Sequence, residues 1–375
     1  MTTQTTRWAT TSGGANEGAR WYAANGAPPP AHIVPAEETI SVAAAHQLMT
    51  QGSALLWRGD FPSARRLLAA LGRRAERGRT TPAQSPAETF RRQRLAQSHR
   101  AVLLGRLLVP YETDWWIPLR GAPRVREACL QAYGPCSAPG HGSLRELLGV
   151  VGSYEWRRKG VEIPALGGER IHPHFGVFSP VRGEYVDLVA EAELPAGGTA
   201  FDIGTGTGVL SVVLARRGMR RIVATDTDAR AVLCARDNAD RLGLDARIDV
   251  RHTHLFPEGR AHLVVCNPPW LPGVPRTPLD GAVYDPESRM LRGFLAGLAD
   301  HLEPGGEGWL ILSDLAERLG LRGRTELVDA ITAAGLRVLS RTTTKPRHAR
   351  AADPSDPLHR ARASEVTSLW RLAAA

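Results

Sequence analysis

The chain has 375 residues, 43% of them hydrophobic and 23% charged, enough for two domains with cores of their own. No apolar run approaches the roughly 20 residues of a membrane-spanning helix, and residues 1–40 lack the apolar centre of a secretion signal, so neither a membrane protein nor an exported one is expected and the cytoplasm is the expected location. The net charge of +9 is unevenly held: residues 1–160 carry 21 Lys and Arg against 11 Asp and Glu, while the remainder is close to neutral.

Eleven of those arginines fall within residues 51–100, and the Arg-rich stretch 58–106 suits a polyanionic or nucleoprotein partner, or else a solvated helical face. The four cysteines, Cys129, Cys136, Cys234 and Cys266, have neither metal-ligand spacing nor the pattern of a secreted disulfide framework, so reduced thiols and no metal are expected.

In chain order, residues 1–40 are rich in Thr, Ala, Gly and Pro without apolar periodicity, which predicts a disordered tail. Residues 41–150 read as a mainly helical accessory domain, with helices over 41–51, 61–77, 88–108 and 124–133 and a break at 78–86. Residues 151–178 read as a β-hairpin linker, with Gly160 and Gly167-Gly168 as its turn signals. A helix over 185–192 follows. From Thr199 onward strand and helix alternate: strands over 199–203, 221–225, 247–252, 261–266, 307–313, 336–343 and 366–372, helices near 208–217, 228–242, 288–302 and 324–334. This predicts an α/β fold with a seven-stranded, Rossmann-like doubly wound sheet in a domain covering residues 179–375.

Two motifs carry the chemistry. The apolar strand Thr199-Ala200-Phe201-Asp202-Ile203 runs straight into Gly204-Thr205-Gly206-Thr207-Gly208, where glycines permit positive φ and close approach of a ligand to the backbone. Asp226, at the end of the next strand, is placed to accept both hydroxyls of a ribose. The spacing is Gly-x-Gly-x-Gly, and Val209 stands where a dinucleotide fingerprint has its third glycine, so an adenosine cofactor other than NAD is favoured. The second motif, Asn267-Pro268-Pro269-Trp270, directly follows the apolar strand ending at Cys266.

Together the two motifs resemble class I S-adenosylmethionine-dependent N-methyltransferases of the small-domain superfamily, of the protein-glutamine and adenine-N6 type, over residues 170–375. The resemblance implies S-adenosyl-L-methionine as cofactor, with Asp202, Gly204, Thr205, Gly206, Gly208, Asp226 and Asn267 around it and with Pro180, Glu184 and Tyr185 closing over its methionine part. His254 stands where the family often has an acidic residue for the adenine amino group. A planar nitrogen has a delocalised lone pair and is a poor nucleophile. Asn267 and Pro268 would accept its two N–H bonds, Pro268 and Pro269 would stiffen the loop, and Trp270 would offer a flat face.

The acceptor stays open between a protein Gln or Asn amide, an exocyclic amine of RNA or DNA, and a small molecule. A catalytically idle, nucleic-acid-binding protein is the reading from another class. His172, His174, Asp280 and Asp285 have no partner geometry in sequence and stay outside the site.

Overall fold

The computed structural model describes residues 19–76, 83–181, 183–275, 277–347 and 353–375. They divide into two compact units, one lying within residues 1–82 and 92–155, the other within 83–91 and 156–375.

The first unit contains β1 (Arg20–Tyr22), β2 (Ile33–Ala36), α1 (Val42–Thr50), β3 (Ala54–Trp57), α2 (Phe61–Glu76), most of α3 (Pro86–Gly105), β4 (Leu107–Tyr111), α4 (Arg126–Tyr133), β5 (Gly140–Ser143) and most of α5 (Leu144–Lys159). The strands form one sheet in the order β1-β5-β4-β3-β2. α1 starts where the Ser41 hydroxyl accepts the Ala44 N–H at 3.1 Å, and α2 buries Leu67, Leu68 and Leu71 on one face. The helices expected over residues 41–150 are present, but they surround a five-stranded sheet that the sequence reading did not place. β3 explains the omission. Ala54-Leu55-Leu56-Trp57 is buried throughout, so it lacks the alternation of a half-exposed strand, and it is only four residues long.

Two more expectations are corrected. Within the predicted tail 1–40, β1 and β2 are hydrogen-bonded strands, β1 beside β5 and β2 beside β3; residues 1–18 lie outside the described residues. The predicted hairpin over 151–178 shrinks to β6 (Val161–Glu162) and β7 (Arg170–Ile171), paired antiparallel, because residues up to Lys159 continue α5. The expected break at 78–86 falls largely outside the described residues.

The second unit continues with α6 (Glu184–Glu191), β8 (Thr199–Ile203), α7 (Val209–Arg216), β9 (Arg221–Asp226), α8 (Ala229–Arg241), β10 (Ile248–His252), β11 (Ala261–Cys266), β12 (Leu271–Pro272), β13 (Tyr284–Asp285), α9 (Arg289–Leu298), β14 (Leu302–Ser313), α10 (Leu315–Arg318), α11 (Glu326–Ala333), β15 (Leu336–Thr344), α12 (His359–Ala363) and β16 (Thr367–Ala374). Its seven-stranded sheet has the order β10-β9-β8-β11-β14-β16-β15, parallel except for β16, which runs antiparallel to both neighbours. The fold is α/β and doubly wound. Alternate residues feed two cores: Leu263 and Val265 of β11 join one, Val264 and Cys266 the other. From β8 the chain proceeds to β9 on one side, whereas β11 leads to β14 on the other. Strand order therefore reverses between β8 and β11, and in such sheets the crevice at the carboxyl ends of these strands is where ligands bind.

Among the described residues no helix is long and apolar enough to cross a membrane.

Candidate functional site

The register of β8 and β11 brings the two sequence motifs together. Cys266 is paired with Ile203, so the glycine turn and the Asn-Pro-Pro-Trp loop leave neighbouring strands at the same level.

Gly204, Gly206 and Gly208 have φ of 72°, 57° and 81°, left-handed values at which a side chain is strained. A Cβ on Gly208 would also stand 3.2 Å from the Ala235 backbone, whereas one on Gly206 would meet nothing within 4 Å. The turn is tied to β9 on one side: the Gly204 and Thr205 N–H groups donate to the Thr225 carbonyl at 2.9 Å, and the Gly206 N–H donates to Asp226 Oδ2 at 3.0 Å. Asp226 Oδ1 accepts the Asp228 N–H at 2.9 Å. Burial raises the Asp226 carboxyl above the usual carboxylate range, and these N–H donors oppose that shift.

Asp202 is placed differently from the expectation for a residue facing a cofactor. It is 1% exposed, and its Oδ2 accepts from Thr205 Oγ1 at 2.7 Å, Ser211 Oγ at 2.6 Å and the Ser211 N–H at 3.1 Å. It braces the glycine turn against the start of α7 from beneath, and Thr205 turns its hydroxyl inward to the same oxygen. Ser211 and Thr225 were missed in the sequence. Their only signal was position: a hydroxyl within the first turn of the helix after the glycines, and one immediately before Asp226.

The segment before β8 supplies two buried polar atoms without a partner among the described residues, Ser179 Oγ and Glu184 Oε1. Glu184 is 3% exposed, at the start of α6, and Pro180 is buried beside it in sequence. Burial, with the Asp202 and Glu184 carboxylates nearby, pushes the Tyr185 phenol up. α6 packs on α7, which keeps this segment beside the glycine turn. An unpartnered buried carboxylate oxygen fits a ligand that brings a cation, and S-adenosylmethionine carries both an ammonium and a sulfonium.

In the second motif, the Trp270 indole N–H donates to Asn267 Oδ1 at 2.8 Å. A carbonyl oxygen has two lone pairs, so Asn267 keeps one for a further donor while its amide is held in one orientation. Pro268 is buried, Pro269 and Asn267 are half-buried, and Trp270 packs against both cores. Trp270 is thus a support for Asn267 as well as a candidate flat face. Behind it, buried Arg322 donates to the Trp270 carbonyl at 3.4 Å and to Glu317 Oε1 at 3.3 Å.

His254 is exposed and has no hydrogen-bond partner among the described residues. The next residue, Leu255, holds a φ of 54°, costly for a bulky side chain, and its carbonyl accepts from Thr225 Oγ1 at 2.6 Å. Met290 also escaped the sequence reading. Its methyl would stand 2.5 Å from a Cβ on Gly204, and buried Asp285 positions it by accepting the Met290 and Leu291 N–H groups. His172 and His174 are structural: His172 Nδ1 bonds the Arg157 carbonyl, and His174 Nε2 bonds Asp237 at 2.8 Å.

Residues 170–318 match the family described as Methyltransferase small domain. The chain is 38% identical over 148 residues to a ribosomal protein L11 methyltransferase of Pelotomaculum thermopropionicum, covering 39% of this chain and 40% of that protein. It is 34% identical over 131 residues to a release factor glutamine methyltransferase of Cereibacter sphaeroides, 34% of this chain and 43% of that one. A tRNA1(Val) (adenine(37)-N6)-methyltransferase of Vibrio parahaemolyticus is 37% identical over 95 residues, 24% of this chain and 40% of the relative. The chain spans less than half the length of each of these relatives.

Proposed function

We propose that this chain is an S-adenosylmethionine-dependent N-methyltransferase acting on a planar nitrogen, either a protein Gln or Asn amide or an exocyclic amine of RNA or DNA. The observation that carries the reading is the pairing of Cys266 with Ile203, which sets Asn267 beside the glycine turn at the point where the strand order reverses. The match to the Methyltransferase small domain over both motifs supports it.

Gly204, Gly206 and Gly208 give the cofactor backbone access, Asp226 accepts its ribose hydroxyls, and Ser179 and Glu184 receive its methionine end. The bound cofactor supplies a methyl group already activated by the sulfonium. Asn267 Oδ1 and the Pro268 carbonyl hold the acceptor N–H bonds, and the Trp270 N–H keeps the Asn267 amide from rotating. Positioning of the two reactants is the main service of these residues. The names of the relatives, a ribosomal protein, a release factor glutamine and a tRNA adenine among them, support a macromolecular acceptor. Arginines within 58–106 are proposed to contribute to its capture. Several of them also serve the fold: Arg66 donates to Ser63 Oγ, and Arg100 pairs with Glu76 at 2.9 Å.

The test is to add the full chain and methyl-labelled S-adenosylmethionine to extract from cells lacking the protein, then digest the labelled fraction with nuclease or protease. Label in protein or nucleic acid is expected with the parent and is lost with Asn267→Ala, while cofactor affinity measured by calorimetry is unchanged. Retention of most of the rate by Asn267→Ala defeats the planar-nitrogen reading, and label confined to small molecules defeats the macromolecular one.

A further inference from the structure

A cavity of about 450 Å³ opens in the second unit where β14, β15 and β16 meet α10 and α11. Its lining includes Ser313 at the carboxyl end of β14, Arg318, Arg324, Arg341, Ser368 and Trp370. β14 is the strand next to β11, so this cavity and the Asn-Pro-Pro-Trp loop share one edge of the sheet.

The charged side chains that line the cavity are three guanidiniums and two carboxylates, with the buried Glu365 behind Ser313, whose hydroxyl donates to it at 2.7 Å. Arg318 is matched by Asp314, which it meets with Nε at 2.8 Å and Nη2 at 2.7 Å. Glu317 is matched by Arg322. That leaves Arg341 and Arg324. Arg341 donates from Nε and Nη2 to Ser368 Oγ at 3.0 and 2.9 Å, and its guanidinium lies 4.5 Å from the centre of the Trp370 ring. The hydroxyl and the indole hold the guanidinium without neutralising it, and a stacked guanidinium presents its outer face and remaining N–H groups to whatever enters. Arg324 is exposed and has no partner among the described residues. Two uncompensated guanidiniums, one of them immobilised, make a site for an anion that accepts hydrogen bonds on several sides.

We propose that this cavity binds the phosphate backbone of a nucleic-acid strand and so guides the acceptor along the sheet edge toward Asn267. A polyanion is preferred over an isolated carboxylate because Arg324 and Arg341 line one cavity and a strand offers successive phosphates to both. The choice of strand as acceptor rests on the proposed transfer to a planar nitrogen. Binding is read without the methyl donor, so failure of transfer and failure of this site are separate results.

The experiment is fluorescence anisotropy of a labelled single-stranded RNA 20-mer with the full chain over a salt series, for the parent, Arg324→Gln, Arg341→Gln and Arg221→Gln. Arg221 is an exposed residue at the opposite, amino-terminal edge of the sheet and serves as control. Each cavity variant is expected to weaken binding several-fold and to lower the slope of log affinity against log salt by about one, the loss of one phosphate contact, with Arg221→Gln matching the parent. Arg324 has no hydrogen bond or ion pair among the described residues, so Arg324→Gln decides the matter if Arg341→Gln proves unstable to heat. An unchanged slope in Arg324→Gln overturns the proposal. So does a poly-glutamate peptide whose binding falls in the cavity variants while RNA binding does not, since that assigns the site to protein carboxylates.

Discussion

Burial raises the Asp202 carboxyl above the usual carboxylate range, and the hydrogen bonds from Ser211 and Thr205 offset only part of the effect. A carboxyl raised in the folded chain binds its proton more readily there than in the unfolded chain. Its ionisation therefore costs stability as pH rises from the ordinary carboxylate range through the raised value, and that cost is complete above it. Asp202→Asn keeps an acceptor without the charge, so its unfolding free energy at neutral pH is expected within about 1 kcal/mol of the parent or above it. Asp202→Ala leaves buried donors unmet and is expected to lose about 1–3 kcal/mol. Urea unfolding at neutral and mildly acidic pH checks both. An Asn variant that loses as much as the Ala variant, at every pH, means that the charge itself holds the turn.

Asp226, at the end of the neighbouring strand β9, carries the proposed ligand-facing task. Asp226→Ala is expected to weaken S-adenosylmethionine and S-adenosylhomocysteine alike, by about 1–3 kcal/mol for unmet hydroxyls, as read by calorimetry. Parent affinity should fall as acid protonates this raised carboxyl. The glycines, Asp226 and Asn267 were legible as candidate site residues because the signal for them lies in spacing along the chain. The inward turn of Asp202 was not, since a carboxylate one residue before the end of a strand reads the same whether it faces a ligand or a brace.

At the scale of elements, β5 carries a pH-sensitive group. His141 is buried, and desolvation together with Arg58 lowers its pKa from 6.5 to about 4. The unfolded chain takes up that proton near pH 6.5 and the folded chain only near 4, so stability present above pH 6.5 is lost as pH falls through the interval, by up to about 3 kcal/mol. His141→Gln should flatten the unfolding free energy between those two pH values. A slope equal to that of the parent assigns the acid sensitivity elsewhere.

The same strand shows why the first unit's sheet was hidden. Gly140-His141-Gly142-Ser143 has no apolar residue at all, β1 has three residues, and such short strands are stabilised by neighbours rather than by their own pattern. The strands of the second unit were legible because β8, β9 and β11 are runs of five or six residues that are buried almost throughout and separated by amphipathic helices.

At the scale of the whole molecule, the division of the chain does not follow a single cut. Residues 83–91 belong to the second unit, and Phe90, 6% exposed, packs there with Leu271, Leu315, Leu319 and Leu358. Leu271 directly follows Trp270, so this cluster supports the end of the Asn-Pro-Pro-Trp loop. Phe90→Ala is expected to cost about 3 kcal/mol in denaturant unfolding, whereas Leu95→Ala, at a half-exposed position on the same helix, should change stability by less than about 0.5 kcal/mol. Equal effects would mean that Phe90 is not a core residue. Removal of residues 1–150 would take Phe90 with it and cut α5, so loss of transfer in such a fragment would report damage to the second unit as much as loss of acceptor capture.

The sequence by itself determined the α/β character of residues 199–375, the glycine turn, Asp226 and the Asn-Pro-Pro-Trp loop, because period, turn residues and motif spacing are local properties of the chain. Only the tertiary structure decided that β8 and β11 are neighbours in register, that Trp270 holds Asn267, that Arg324 and Arg341 share a cavity, and that Phe90 belongs to the second unit. Each of those depends on contacts between residues far apart in sequence, whose energies come from burial and strand pairing and leave no local pattern to read.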